Sequence, residues 1–182
     1  GTIRVVDDSG RTPLKSVPFS LKAAEHQQLD SFLSTQGLTL DDARIEVTVD
    51  SPTGAVTAYA SVIDKATTDS LAITPVNPTQ VKSTRYVLPG IAELTTATSN
   101  FHSDIRVFNG GTTSVIVTPT YYPQNNGTPV AATPFPINAG EVKRFDNALN
   151  SLFRLSDTGG AMLLTTPPQS SLTATARTPR TL

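Results

Sequence analysis

The chain contains no cysteine and no tryptophan, one methionine and two histidines. Without cysteine there is no disulfide framework, no thiolate zinc site and no cysteine nucleophile. Charged residues make up 16% of the 182 positions, below the usual quarter of a globular domain. The balance is –1, so no basic footprint for nucleic acid or an anionic membrane is present. No run approaches the roughly 20 apolar residues that a membrane helix needs, which excludes membrane insertion by helices. Neither a signal-peptide pattern nor an initiator Met opens the chain. Residues 2–6 (TIRVV) already read as a strand, so the chain is expected to be a piece of a longer protein, with Gly1 a candidate tag scar.

Thr, Ser, Pro and Ala fill the space left by the missing charge, a bias toward strands and turns. The organising stretch is residues 133–152, TPFPINAGEVKRFDNALNSL. It has a counterpart in residues 17–36, VPFSLKAAEHQQLDSFLSTQ. Pro18 and Pro134, Phe19 and Phe135, Glu25 and Glu141, Asp30 and Asp146, and Leu33 and Leu149 all stand 116 positions apart. The offset runs without a gap from Thr2/Thr118 to Ala60/Ala176. A period this long means tandem domains rather than a solenoid. It predicts a first unit over residues 1–78 and a fuller second unit over 79–182. Counterparts of residues 86–111 in the first copy would fall before residue 1. The first unit is therefore expected to have unpaired strand edges, completed by strands of the second unit or of a second molecule, as in a homodimer.

Local patterns fill in the elements. Alternation predicts strands at residues 3–6, 17–21 and 43–49, the last with Ile45, Val47 and Val49 inward. Residues 55–63 read as its hairpin partner, and 71–76 as a further short strand. Residues 86–94 form a strand bent or placed at an edge by Pro89. Residues 104–108 follow with Ile105 and Val107 inward, and 114–122 return antiparallel to them. Residues 160–166 and 172–177 repeat the hairpin of the first unit. Apolar spacing predicts helices over about 23–36 (Leu29, Phe32, Leu33) and 141–153 (Val142, Phe145, Leu149, Phe153). Turn chemistry marks residues 7–10, 50–54, 109–111 and 124–127.

Candidates for chemistry are few. His26 lies on the polar side of the first predicted helix, and its counterpart is Val142, so it reads as a solvated residue. His102, Ser103 and Asp104 are consecutive, but a triad is defined by roles in space, and strand neighbours point to opposite faces. No nucleophile elbow accompanies them. Asp7, Asp8 and Ser9, and the pair Asp41 and Asp42, resemble the carboxylate turns that hold calcium, but no complete calcium loop occurs. Glu141 reads as a carboxylate at a helix N-terminus. Gly110-Gly111 and Gly159-Gly160 lack phosphate-loop spacing. Tyr86, Tyr121 and Tyr122 are candidates for a sugar-stacking face. No catalytic residue, metal or cofactor is assigned.

Residues 86–123 (YVLPGIAELTTATSNFHSDIRVFNGGTTSVIVTPTYYP), then PINAGEVKRFDNAL and LTATARTPR, resemble a module found in tandem in bacterial secreted and surface proteins. In that pattern a strand S-D-[IL]-x-[VL]-x-N, here residues 103–109, precedes a turn and a second apolar strand. A P-G or A-G step and a helix follow, and the unit closes on S/T-x-R-T, here ending at Arg177-Thr178. The closing Arg-Thr is replaced by Ser61-Val62 in the first copy. The resemblance implies an immunoglobulin-like β-sandwich outside the cytoplasm, without established enzymatic activity. The expectation is an all-β chain of tandem sandwich units. It would be a non-catalytic spacer or interaction module of a secreted, cell-surface or periplasmic protein, with a protein or polysaccharide partner and no nucleic acid. The alternatives are a carbohydrate-binding module of a secreted enzyme and a hydrolase domain using His102, Ser103 and Asp104.

Overall fold

The structure is a computed structural model, and it describes every residue except 8–11, 41, 64–69, 79, 81, 126 and 182. Residues 8–10 of the turn expected at 7–10 therefore lie outside the described residues, as do Asp8, Ser9 and Asp41 of the calcium candidates and Asn126 of the turn expected at 124–127. Among the described residues the chain is all-β apart from two short helices, and it divides into two compact units, Gly1–Tyr59 and Ala60–Leu182. That division falls ahead of the expected 78/79. Ser83 and Thr84 bond to the far end of the second unit: Ser83 N–H to Ser170 O at 3.3 Å and Thr166 N–H to Thr84 O at 3.0 Å.

The first unit contains β1 (Thr2–Val6), β2 (Pro13–Pro18), α1 (Phe32–Thr35) and β3 (Arg44–Thr48). Its sheet has the order β2-β1-β3, all antiparallel. The alternation in β3 is present, yet Ile45 and Val47 are exposed rather than inward as expected. Residues 55–59 form no strand beside it. The helix expected over residues 23–36 shrinks to one turn, because Ala24 (φ 59°) and Ser31 (φ 48°) leave the helical region.

The second unit opens with β4 (Ala60–Ile63) paired to β5 (Ser70–Ile73). The expected hairpin of residues 55–63 with β3 is thus corrected to a pairing of β4 with β5. There follow β6 (Arg85–Thr95), β7 (Asn100–His102), β8 (Asp104–Asn109), β9 (Val115–Pro123), β10 (Val130–Ala131), β11 (Phe135–Ile137), β12 (Val142–Phe145), α2 (Ala148–Phe153), β13 (Thr158–Thr165), β14 (Leu172–Arg177) and β15 (Arg180–Thr181). One sheet runs β10-β9-β13-β6-β7-β15, with β11 also paired to β9; the other is β12-β8-β14. Consequently β8 and β9 are not a hairpin, and neither are β13 and β14: in both cases the chain crosses from one sheet to the other. The two inner faces meet in one core, with Ile105 and Val107 from β8 and Leu172 from β14 on one side. Leu88, Ile91, Val117, Tyr121, Met162 and Leu164 come from the other sheet. This is the layered architecture of a β-sandwich. Alternation along β9 and β8 supplies the inward residues.

β6 lies inside its sheet, so Pro89 bends the strand without ending it. Its register against β13 shifts between Gly160 and Ala161, opposite Pro89 to Ile91, and Gly90 takes φ 70°. The second helix is likewise corrected, from 141–153 to α2. Residues 142–145 pair with β8 from Val142↔Phe108 to Phe145↔Ile105 instead. Val142 and Phe145 satisfy a helical spacing, but a short isolated helix is marginal, and the ladder to β8 fixes these residues as strand. Asn147 at φ 49° then separates strand from helix.

The repeat is visible in the backbone. Ala24 and Gly140 both take positive φ, as do Ser31 and Asn147. Lys22 N–H donates to the Glu25 carboxylate at 2.6 Å, and Asn138 N–H to that of Glu141 at 2.7 Å. Gln28 donates to Asp30, as Arg144 does to Asp146. Glu25 and Glu141 therefore close a turn; they do not open a helix. One difference is the pairing register: Val5 faces Ile45, whereas Tyr121 faces Met162, the counterpart of Glu46.

Candidate functional site

Residues 103–109 bring Ser103, Asp104 and Asn109 onto or beside β8, the central strand of its sheet. Ser103 is buried between β7 and β8. Its hydroxyl accepts from Ala92 N–H at 2.8 Å and shares a 2.6 Å bond with the Thr178 hydroxyl. Thr178 in turn donates to Gly90 O at 3.2 Å. The proton order that satisfies all three bonds runs Ala92 to Ser103 to Thr178 to Gly90. The Ser103 proton is thus committed to Thr178 and not to a general base. The relay fastens the end of β14 to the bend of β6.

Asp104 accepts from Asn147 N–H at 2.9 Å, satisfying a backbone donor at the start of α2. His102 lies 3.9 Å from the same carboxylate oxygen, beyond hydrogen-bond distance. Sequence adjacency therefore does bring His102 near Asp104, while Ser103 is turned inward to the Thr178 relay. Of the tyrosines, Tyr121 is fully buried against Phe153 and bonds to Thr158 at 2.9 Å. The Tyr86 hydroxyl donates to Ser170 O at 3.0 Å and accepts from the Ser83 and Leu172 amides. Tyr122, on the opposite face of β9, is 42% exposed. The three are not a stacking row: one is core, one is a three-bonded clasp and one faces solvent.

Asn109, marked by turn chemistry and by its place in the S-D-x-x-x-x-N pattern, is 1% exposed and closes the strand. Its amide donates to Thr113 O at 2.8 Å and Ile137 O at 3.1 Å, and its carbonyl accepts from Gly111 N–H at 2.9 Å. Its main chain bonds Glu141 O and Gly140 N–H. Beside it lies an open concavity of about 420 Å³, with Pro78, Lys82, Thr112, Pro168 and Ser170 among its lining. These walls carry one cation and small hydroxyls, and none of His102, Asp104 or the tyrosines.

Two carboxylates near β12 are held charged. Burial raises the Asp146 carboxyl, but bonds and charge from Arg144 (2.8 Å) and Arg106 (2.9 Å) outweigh it, leaving the pKa below the ordinary value. For Glu141, burial again raises, and the Asn138 N–H with Lys143 (3.3 Å) lowers it further still, to a net decrease. Among the described residues no cluster of three or more His, Asp or Glu is placed to hold a metal ion, and no helix is long and apolar enough to cross a membrane.

No family model matches the chain, and no curated protein matches it. Among solved structures it is similar to an Anabaena sensory rhodopsin transducer at 17% identity, with a TM-score of 0.41, over 52% of this chain and 97% of that one. At that level the likeness bears on neither ancestry nor activity.

Proposed function

We propose that the chain is a non-catalytic structural and interaction module. It would consist of immunoglobulin-like sandwich units in tandem, from a secreted or cell-surface bacterial protein, acting as a spacer or adhesion-type surface. The observation that carries this reading is the use made of residues 103–109. Ser103, Asp104 and Asn109 each spend their polar atoms on backbone groups or on Thr178, holding strands and α2 in place. Recognition would then come from sheet edges and loops, where main-chain bonds supply affinity and alternate side chains supply specificity. A carbohydrate-binding module would draw on Tyr122 alone among the three candidate tyrosines.

The test is a panel of ester, peptide and glycoside substrates together with a glycan array, run on the full chain and on Ser103→Ala, His102→Ala and Tyr122→Ala. We expect no turnover above the protein-free rate and no saturable glycan binding. Turnover that disappears in Ser103→Ala or His102→Ala would replace the reading with a hydrolase. Glycan binding that disappears in Tyr122→Ala would replace it with a carbohydrate module.

A further inference from the structure

We infer that the second unit is built to carry tension along its strands, with Thr178 as the latch that holds it closed. This rests on the spacer reading and names what such a spacer does under load. β6 is the first long strand of the unit, entered at Arg85, and β14 is the last, left at Arg177. The two belong to facing sheets, and side-chain bonds tie them at two points. At the entry, the Tyr86 hydroxyl donates to Ser170 O and accepts from Leu172 N–H at the start of β14. Further along, Thr178, just past the end of β14, donates to Gly90 O. The strands therefore start together and run in the same direction. Entry and exit lie at opposite ends, about 20 Å apart for the six residues of β14.

A pull between those points slides β6 and β14 past each other and peels neither away. The bonds of an antiparallel ladder lie perpendicular to its strands. A pull along a strand loads all of them together, and a pull across one end loads them one at a time. β6 is held by eight pairs with β13, and β14 by six with β8. Both ladders are loaded in the direction in which they resist together.

β15 follows with two pairs to β7, so it yields first. The load then falls on Thr178. Its hydroxyl bonds to Gly90 in one sheet and to Ser103, beside β8, in the other. Ser103 is fully buried, and a hydrogen bond in that dry setting is stronger than in water. Gly90 is skipped in the β13 register, between Pro89↔Ala161 and Ile91↔Gly160, and its carbonyl goes to the latch.

The chain has no cysteine, so a pair of introduced thiols gives two unique points for optical-tweezers handles on the full chain. Thr84→Cys with Pro179→Cys pulls along the strands. Thr84→Cys with Pro168→Cys pulls neighbouring ends apart, since Arg85 pairs with Thr165. In either geometry, full opening lengthens the tether by about 300 Å, which marks the event. Forced unfolding is governed by the unfolding rate. At a fixed force the along-strand pull should open the unit at least about tenfold more slowly, the equivalent of two or more bonds broken together in place of one. Thr178→Val should speed that opening about tenfold through the loss of two bonds, and leave the end pull within about twofold. Thr178→Ser, which keeps the hydroxyl, should restore the rate. Equal rates in the two directions would overturn the inference. So would a Thr178→Val chain that opens faster in both pulls alike, because the latch would then be an ordinary stabilising bond. If Thr178→Val does not fold, the two directions compared with Thr178 in place decide the matter. Turnover or glycan binding in the substrate panel would unseat the spacer reading and leave these rates unchanged, so the two failures are told apart.

Discussion

Asn109 is the residue on which the most separate pieces of backbone converge. Three bonds from one side chain reach Gly111 and Thr113, in the loop between β8 and β9, and Ile137 at the end of β11. Replacing it with alanine strands the buried Ile137 carbonyl and leaves the part-buried Thr113 carbonyl and Gly111 amide without this partner, which is costly. Asn109→Ala should lower unfolding stability by about 3 kcal/mol, and Asn109→Asp by a similar amount because both amide donors vanish while the acceptor stays. Urea denaturation followed by tyrosine fluorescence checks this; a loss under about 1 kcal/mol would show that the loops rearrange around the gap. At this scale the sequence was partly readable. Ile105 and Val107 are inward as their alternation predicts. The roles of Ser103 and Thr178 were not readable, because they meet across 75 positions of chain and nothing local marks either as half of a pair.

The strand–turn–helix segment from Asn138 to Phe153 shows how neighbouring elements divide one apolar pattern. Val142 and Phe145 fit a helix by spacing, and the same residues fit a ladder. The choice falls to β8, a partner about 40 residues away, which single-sequence periodicity cannot see. What was legible, the Glu141 and Asp146 repetition, has its cause in this segment: Glu141 closes the turn before β12, and Asp146 ties its end to Arg106 and Arg144. Both carboxyls titrate below their ordinary value in the fold. A depressed folded pKa means stability that is present above the unfolded value and is lost as pH falls through the folded one. The urea midpoint of the second unit should therefore be flat down to about pH 5 and decline below about pH 4. Asp146→Asn should flatten part of that decline. A midpoint that rises on acidification would contradict the assignment.

For the whole molecule, the 116-residue offset predicts tandem units of unequal content from the chain alone. What it could not give was the sheet partnership, since the expected hairpins of 55–63 and of 160–177 put strands in one sheet that the fold places in two or leaves unpaired. The inequality has an energetic consequence. Among the described residues, the fully buried hydrophobic side chains of the first unit are Val5 and Val6, and the second unit holds the large cluster around Tyr121 and Met162. Local stability follows buried apolar contact. Native-state hydrogen exchange should show β1 and β3 amides opening about a hundredfold or more faster than those of β8 and β13. Equal rates would mean that the two units unfold as one.

The central place of β8 also orders events in time. Its two neighbours, β12 and β14, are made long after it, and the second ladder ends only at Arg177. During synthesis the strand that organises the second sandwich must therefore wait, with Ile105 and Val107 uncovered, until the last of its neighbours leaves the ribosome. Pairings of such long sequence separation form slowly, and nascent chains that delay closure are exposed to aggregation. The second unit, which holds the larger buried apolar cluster, is on this account the one expected to depend more on chaperones while it is being made.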